Sequence, residues 1–123
     1  MQFSELARAD LGDANLTRAN LEHANLSEAY LTSARLSGAD LIGAKLSIAN
    51  LAGATLRMAE LFSANVERAN LTNVDIQSSR LIDCNLVGAT LTGARLYGTS
   101  RENWMVREVE CDYVYWDFNG RKR

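Results

Sequence analysis

The residues that most readily carry chemistry are scarce in this chain. There is a single histidine, His23, and there are two cysteines, Cys84 and Cys111. A metal site wants several His or Cys donors at short spacing, and His23 has no second histidine or nearby cysteine. A nucleophile, base and orienting group must be assembled for acyl-transfer chemistry. One histidine gives Ser37, Ser47 and the many threonines no credible base. No glycine-rich phosphate loop occurs. The two cysteines are not paired by their spacing, which points to a reducing, cytoplasmic setting without a disulfide. The chain therefore reads as non-enzymatic, with no cofactor and no metal.

What organises the chain instead is a repeat. From Leu6 to Leu96 every fifth residue is a large aliphatic, nineteen in register, with only Val66 and Ile76 replacing Leu. The residue two before each is Ala in fifteen of the nineteen, with Ser4, Val74, Ser79 and Cys84 filling the rest. Asn or Asp often stands between, as in Asp10, Asn15, Asn20, Asn25, Asp40, Asn50, Asn65, Asn70, Asp75 and Asn85. The unit is Ala-(Asp/Asn)-Leu-x-x. On an α-helix, successive leucines would fall about 140° apart, from roughly 100° per residue, and no apolar stripe would form. On one straight strand, an odd spacing sends alternate leucines to opposite faces. A chain that turns the same way every five residues puts all of them inside, so the pattern predicts a solenoid whose units complete one another's core by stacking.

Tandem Ala-(Asp/Asn)-Leu-x-x resembles the pentapeptide-repeat proteins over about residues 4–100. The resemblance implies an all-β solenoid, a right-handed quadrilateral β-helix with four pentads to a coil. The Leu and the preceding small residue would point inward. Nineteen pentads would make a little under five coils, so the domain division is 1–100 for the β-helix and 101–123 for a C-terminal cap or tail. Cys84 then falls on an inward small position. His23 and the carboxylates of Asp13, Glu22, Glu28 and Glu67 fall outward on a convex surface, where no cleft encloses them. The asparagines read as residues that satisfy backbone groups at turns, in preference to a ligand ladder. Glycines two after the Leu, such as Gly43, mark corners that use φ freedom. Residues 74–85, where Val74, Ile76, Ser79 and Cys84 break the consensus, are expected to compensate volume between coils.

The net charge is −2, which implies no strong field of either sign. No apolar run is long enough to span a membrane, and the start shows no secretory signal. Phe3 is expected to fold over the first coil. Three residues make a poor cap, so upstream sequence of a longer chain, or a second copy stacked end to end, would cover that end. In the tail, Thr99-Ser100-Arg101-Glu102 has capping-box spacing, and Trp104, Val106 and Val109 suggest a turn or two of helix. Cys111 to Phe118 is rich in β-formers. Asn119-Gly120 signals a turn, and Arg121-Lys122-Arg123 is a solvated basic end. The Cys-Asp-Tyr-Val-Tyr segment resembles tails of cyanobacterial pentapeptide proteins, in which more residues follow.

Folded at twenty residues per coil, one outward column reads Glu22, Ile42, Phe62, Ile82. A contiguous line of large apolar residues is a candidate interaction face, with Met58 and Ile48 placed near its margins. The chain is accordingly read as a structural or protein–protein interaction module, with a protein partner or a homodimer on this face. Basic residues form no strip when stacked, which argues against nucleic acid. Some pentapeptide-repeat proteins are acidic DNA mimics that bind gyrase or topoisomerase. Mixed-sign columns such as Asp40, Glu60, Arg80 depart from that pattern. A regulatory or localisation domain of a larger protein is a further alternative.

Overall fold

A computed structural model describes residues 4–116. The sequence expectations for Phe3, for Asp117 and Phe118, for the Asn119-Gly120 turn and for the basic end lie outside those residues. The described chain is a right-handed quadrilateral β-helix. Parallel bridges join every fifth residue to the residue twenty further on, from Glu5↔Asn25 through Arg95↔Tyr115. Four short strands and four corners therefore make one coil, and each coil templates the next. At about 4.8 Å per coil, the five steps from the level of Glu5 to that of Met105 span about 24 Å.

The pentad explains its own geometry. The inward Leu accepts a hydrogen bond from the N–H of the residue three on, as in Ala24 N to Leu21 O at 2.9 Å. This closes a four-residue turn at each corner. Of its two central residues only the second has positive φ, the signature of a type II turn. That residue is glycine at six corners and a side-chain-bearing residue at fifteen, among them His23, Ile48 and Met58. Gly43 has φ +64°, and a Cβ there would run into the His23 ring of the coil below. Ile48, at φ 62°, is the β-branched residue in this set, a type for which the left-handed region is a genuine strain.

The ladder leaves one backbone donor per corner without a backbone partner, the N–H of the residue after the Leu. Here the Asn/Asp position does its work. Its Oδ1 accepts that N–H two residues on at all ten positions where Asn or Asp stands, from Asp10–Gly12 at 3.2 Å to Asn85–Val87 at 3.0 Å. These are Asx turns, and they satisfy the corner donors that the ladder cannot reach.

Inside, Leu21 to Leu96 and the alanines from Ala24 to Ala94 are essentially inaccessible to water. Small residues beside the leucines let the four walls close on four columns of large side chains, one from each wall. The void left along the axis is only about 10 Å³, lined by residues such as Leu46, Leu56, Val66, Ile76 and Leu86, at the lower limit for one water. Leu6, Leu11, Leu16 and Ala19 of the first coil are only partly buried. The irregular stretch keeps its ladder: Thr55↔Asp75↔Arg95 and Asn65↔Asn85↔Met105 run through it, and Val74, Ser79 and Cys84 are fully buried. Ser79 donates its hydroxyl to Ile76 O at 2.6 Å, so the polar intruder is paired.

The helical turn expected after Thr99 does not form. Residues 101–110 make two further pentads, and the bridges Asn85↔Met105, Thr90↔Glu110 and Arg95↔Tyr115 carry the coil into the tail. Thr99 Oγ1 donates to Leu96 O at 2.8 Å instead of capping a helix. The exposed edge of the preceding coil offers these residues an in-register ladder, and that outweighs a local helix start. Trp104, Val109 and Trp116 pack against the core and Val114 is buried. The Arg101 guanidinium sits 4.4 Å from the Trp116 ring centroid and 5.6 Å from that of Trp104, a cation–π arrangement.

Candidate interaction surface

The sequence-derived column is a real line on one corner of the prism. Gly43 N donates to Phe62 O at 2.9 Å and Ser63 N to Ile82 O at 3.0 Å, so Ile42, Phe62 and Ile82 stand in consecutive coils. Phe62 is 40% exposed, and Ile42 and Ile82 are half-buried. Beside them the second corner residue is small, Gly43 and Ser63, so the three side chains form a ridge. Glu22 precedes the ridge, and Asp83 N donates to Glu102 O at 2.9 Å, which brings Glu102 to its other end.

Ile48 and Met58, placed near the margins by sequence, lie on the two neighbouring corners, each separated from the ridge by one strand face. Ile48 belongs to a different feature. It is 56% exposed, Tyr30 is 58% exposed, and with Arg8, Glu28 and Asn50 they line a shallow groove of about 240 Å³. Arg8 Nε bonds Glu28 Oε2 at 3.1 Å at its foot. Sequence reasoning passed over this groove. The available signal was Tyr30, standing where the pentad favours Asn or Asp, twenty residues below Asn50.

Among the described residues no group of three or more His, Cys, Asp or Glu is placed to hold a metal ion. His23 lies beside Glu22 at 3.6 Å on the surface. Cys84 and Cys111 are both free thiols, the first buried and the second exposed. Burial pushes the Cys84 thiol up to about 12, and burial with the Asp112 charge raises that of Cys111. Neither has the lowered pKa of a reactive cysteine. Exposed ion pairs, Arg80–Glu60 at 3.6 Å and Arg57–Asp75 at 4.0 Å, break the faces into mixed signs. No helix among the described residues is long and apolar enough to cross a membrane.

A four-sided parallel coil with Leu inside and Asx turns at the corners defines a class of repeat protein. The chain belongs to the pentapeptide-repeat family, whose model matches in eight copies over residues 9–47, 40–77 and 69–100. Among solved structures it is similar to HetL, a pentapeptide-repeat protein involved in heterocyst differentiation regulation in the cyanobacterium Nostoc. The identity is 27% and the TM-score 0.70, covering 100% of this chain and 63% of that one. Rfr23, a pentapeptide-repeat protein of the cyanobacterium Cyanothece, is 37% identical over 80% of this chain and 64% of its own, with a TM-score of 0.48. QnrB1, a plasmid-mediated fluoroquinolone resistance protein, shares the fold at 16% identity and TM-score 0.66, covering 88% of this chain and 65% of that one. The chain thus spans just under two thirds of the length of each. No curated protein sequence matches it.

Proposed function

We propose that the chain is a non-catalytic protein-interaction module that docks a protein partner on the Ile42-Phe62-Ile82 ridge. The observation that carries this reading is three large apolar side chains, stacked in consecutive coils on a corner that faces solvent. The scaffold supports it. Every coil is tied to the next by backbone hydrogen bonds, so the ridge is preorganised and little conformational entropy is lost on docking. The role of HetL in regulating differentiation fits a module of this kind. In the same reading, Trp104, Val109, Val114 and Trp116 close the C-terminal end of the core, and residues 101–123 serve as a cap. A DNA-like acidic face finds no support in columns such as Asp40, Glu60, Arg80.

The test compares the wild type with Phe62→Asp, after circular dichroism shows that both fold. Light-scattering size exclusion reads oligomeric state, and affinity capture reads partners. A partner retained by the wild type and lost by the variant is the expected outcome. An identical set of captured proteins, at an identical mass for both variants, would remove the ridge as a functional face.

A further inference from the structure

We propose that the occupant of the ridge is an amphipathic α-helix with basic residues flanking its apolar stripe. This rests on the reading of the ridge as a docking face. Spacing selects the helix. Coils are about 4.8 Å apart, so Ile42 to Ile82 spans about 9.6 Å. A helix presents one face at about 5.4 Å per turn, or about 10.8 Å over two turns, close enough for side chains to interdigitate. An extended strand presents one face every two residues, about 6.7 Å apart, and would overshoot by about 4 Å across the same three side chains.

Charge selects the flanks. The column runs Glu22, Ile42, Phe62, Ile82, Glu102, an apolar centre between two carboxylates about 19 Å apart over four coil steps. Around it on the adjoining strand faces and corner stand Glu5, Asp40, Glu60 and Asp83 against Lys45, Arg80 and Arg101, so with Glu22 and Glu102 six carboxylates face three cations. This corner is therefore more acidic than the chain as a whole. The same charges disfavour a second copy. Laid antiparallel about Phe62, two ridges would oppose Glu22 to Glu102, and laid parallel they would oppose each glutamate to itself. Either arrangement sets like charges together. A helix with apolar residues at i, i+4 and i+7 and Lys or Arg at i−4 and i+11 keeps all five on one side. Its basic ends fall about 22 Å apart, within side-chain reach of Glu22 and Glu102.

The test uses three synthetic peptides on the folded full chain. One is a helix-forming peptide with that pattern and lysine flanks, one replaces the lysines with glutamates, and one is a strand-former with apolar residues at i, i+2 and i+4. Calorimetry reads affinity, and methyl resonances of Ile42 and Ile82 read location. The lysine-flanked helix is expected to shift those methyls and to bind about tenfold more tightly than its glutamate counterpart, a gap that narrows with added salt. Glu22→Gln with Glu102→Gln is expected to shrink that gap, and Phe62→Asp to remove binding. Tighter binding of the strand-former at the same methyls would overturn the helix and leave the docking face standing. A wild-type dimer dissociated by Phe62→Asp would overturn it in favour of a second copy. No shift at those methyls with any peptide would refute it outright, while the capture comparison above still judges the ridge separately.

Discussion

Replacing Asn70 with alanine isolates what the Asx turn contributes to each corner. Asn70 Oδ1 accepts the Thr72 N–H at 3.0 Å in a part-buried setting, and no backbone acceptor in the ladder reaches that donor. Removing one partner of such a bond leaves the other to find water. The loss for a part-buried donor should sit at about 1 kcal/mol. Over 123 residues the entropy of unfolding is about 260 cal/mol/K, from about 2.1 per residue, so 1 kcal/mol lowers Tm by about 4 °C. The control is Thr55→Ala, at the same place in its pentad, where no Asx bond exists. Its effect should fall within about 0.5 kcal/mol, as for surface changes elsewhere. Thermal and urea unfolding followed by circular dichroism read both variants. Equal losses for Asn70→Ala and Thr55→Ala would refute the assignment and return the asparagines to a purely surface role.

Ala44→Leu forces a large side chain where the walls meet and Ala44 is fully buried; overpacking should cost about 1–3 kcal/mol or more, read as a lowered urea midpoint. Ile48→Gly relieves a left-handed β-branched residue at φ 62°. Relief of about 1–2 kcal/mol outweighs the added chain entropy of glycine, about 0.5–1 kcal/mol, so the midpoint should rise. The Cys84 thiol has an ordinary value of 9.0, raised in the fold to about 12 by burial. Stability tied to the neutral thiol is then full below about pH 9 and is lost as pH climbs from there towards 12. Cys84→Ala should flatten the alkaline arm of a stability–pH curve; an unchanged slope would contradict the burial. With the folded chain at pH 8, an alkylating reagent should modify Cys111 and spare Cys84, as mass spectrometry would show.

The core was legible because one rule places every inward residue. Leu at each fifth position admits only a coil that turns once per pentad, and the buried columns from Leu21 to Leu96 follow it. The Asn/Asp role was legible for a similar reason, since an amide two residues before a corner N–H is in range of nothing better. The tail was not. At 101, 106 and 111 the Leu position holds Arg101, Val106 and Cys111, so the apolar period vanishes while the backbone period persists. A ladder edge templates its neighbour through main-chain groups, which sequence pattern does not report. The inward small position persisted, less visibly, as Thr99, Trp104, Val109 and Val114. Large residues are tolerated there because fewer walls close around them near the end. The ridge at Phe62 was found by folding the sequence at twenty. The Tyr30–Ile48 groove was missed because its walls come from a strand face and a corner, and no single column shows both.

Site-specific photo-crosslinking tests the ridge most directly. With p-benzoylphenylalanine in place of Phe62 or of Tyr97, two positions of similar exposure at 40% and 43%, irradiation of cells expressing each variant should give a discrete protein adduct from position 62 and none from 97. An adduct from position 97 with none from 62 would contradict the ridge as the docking face.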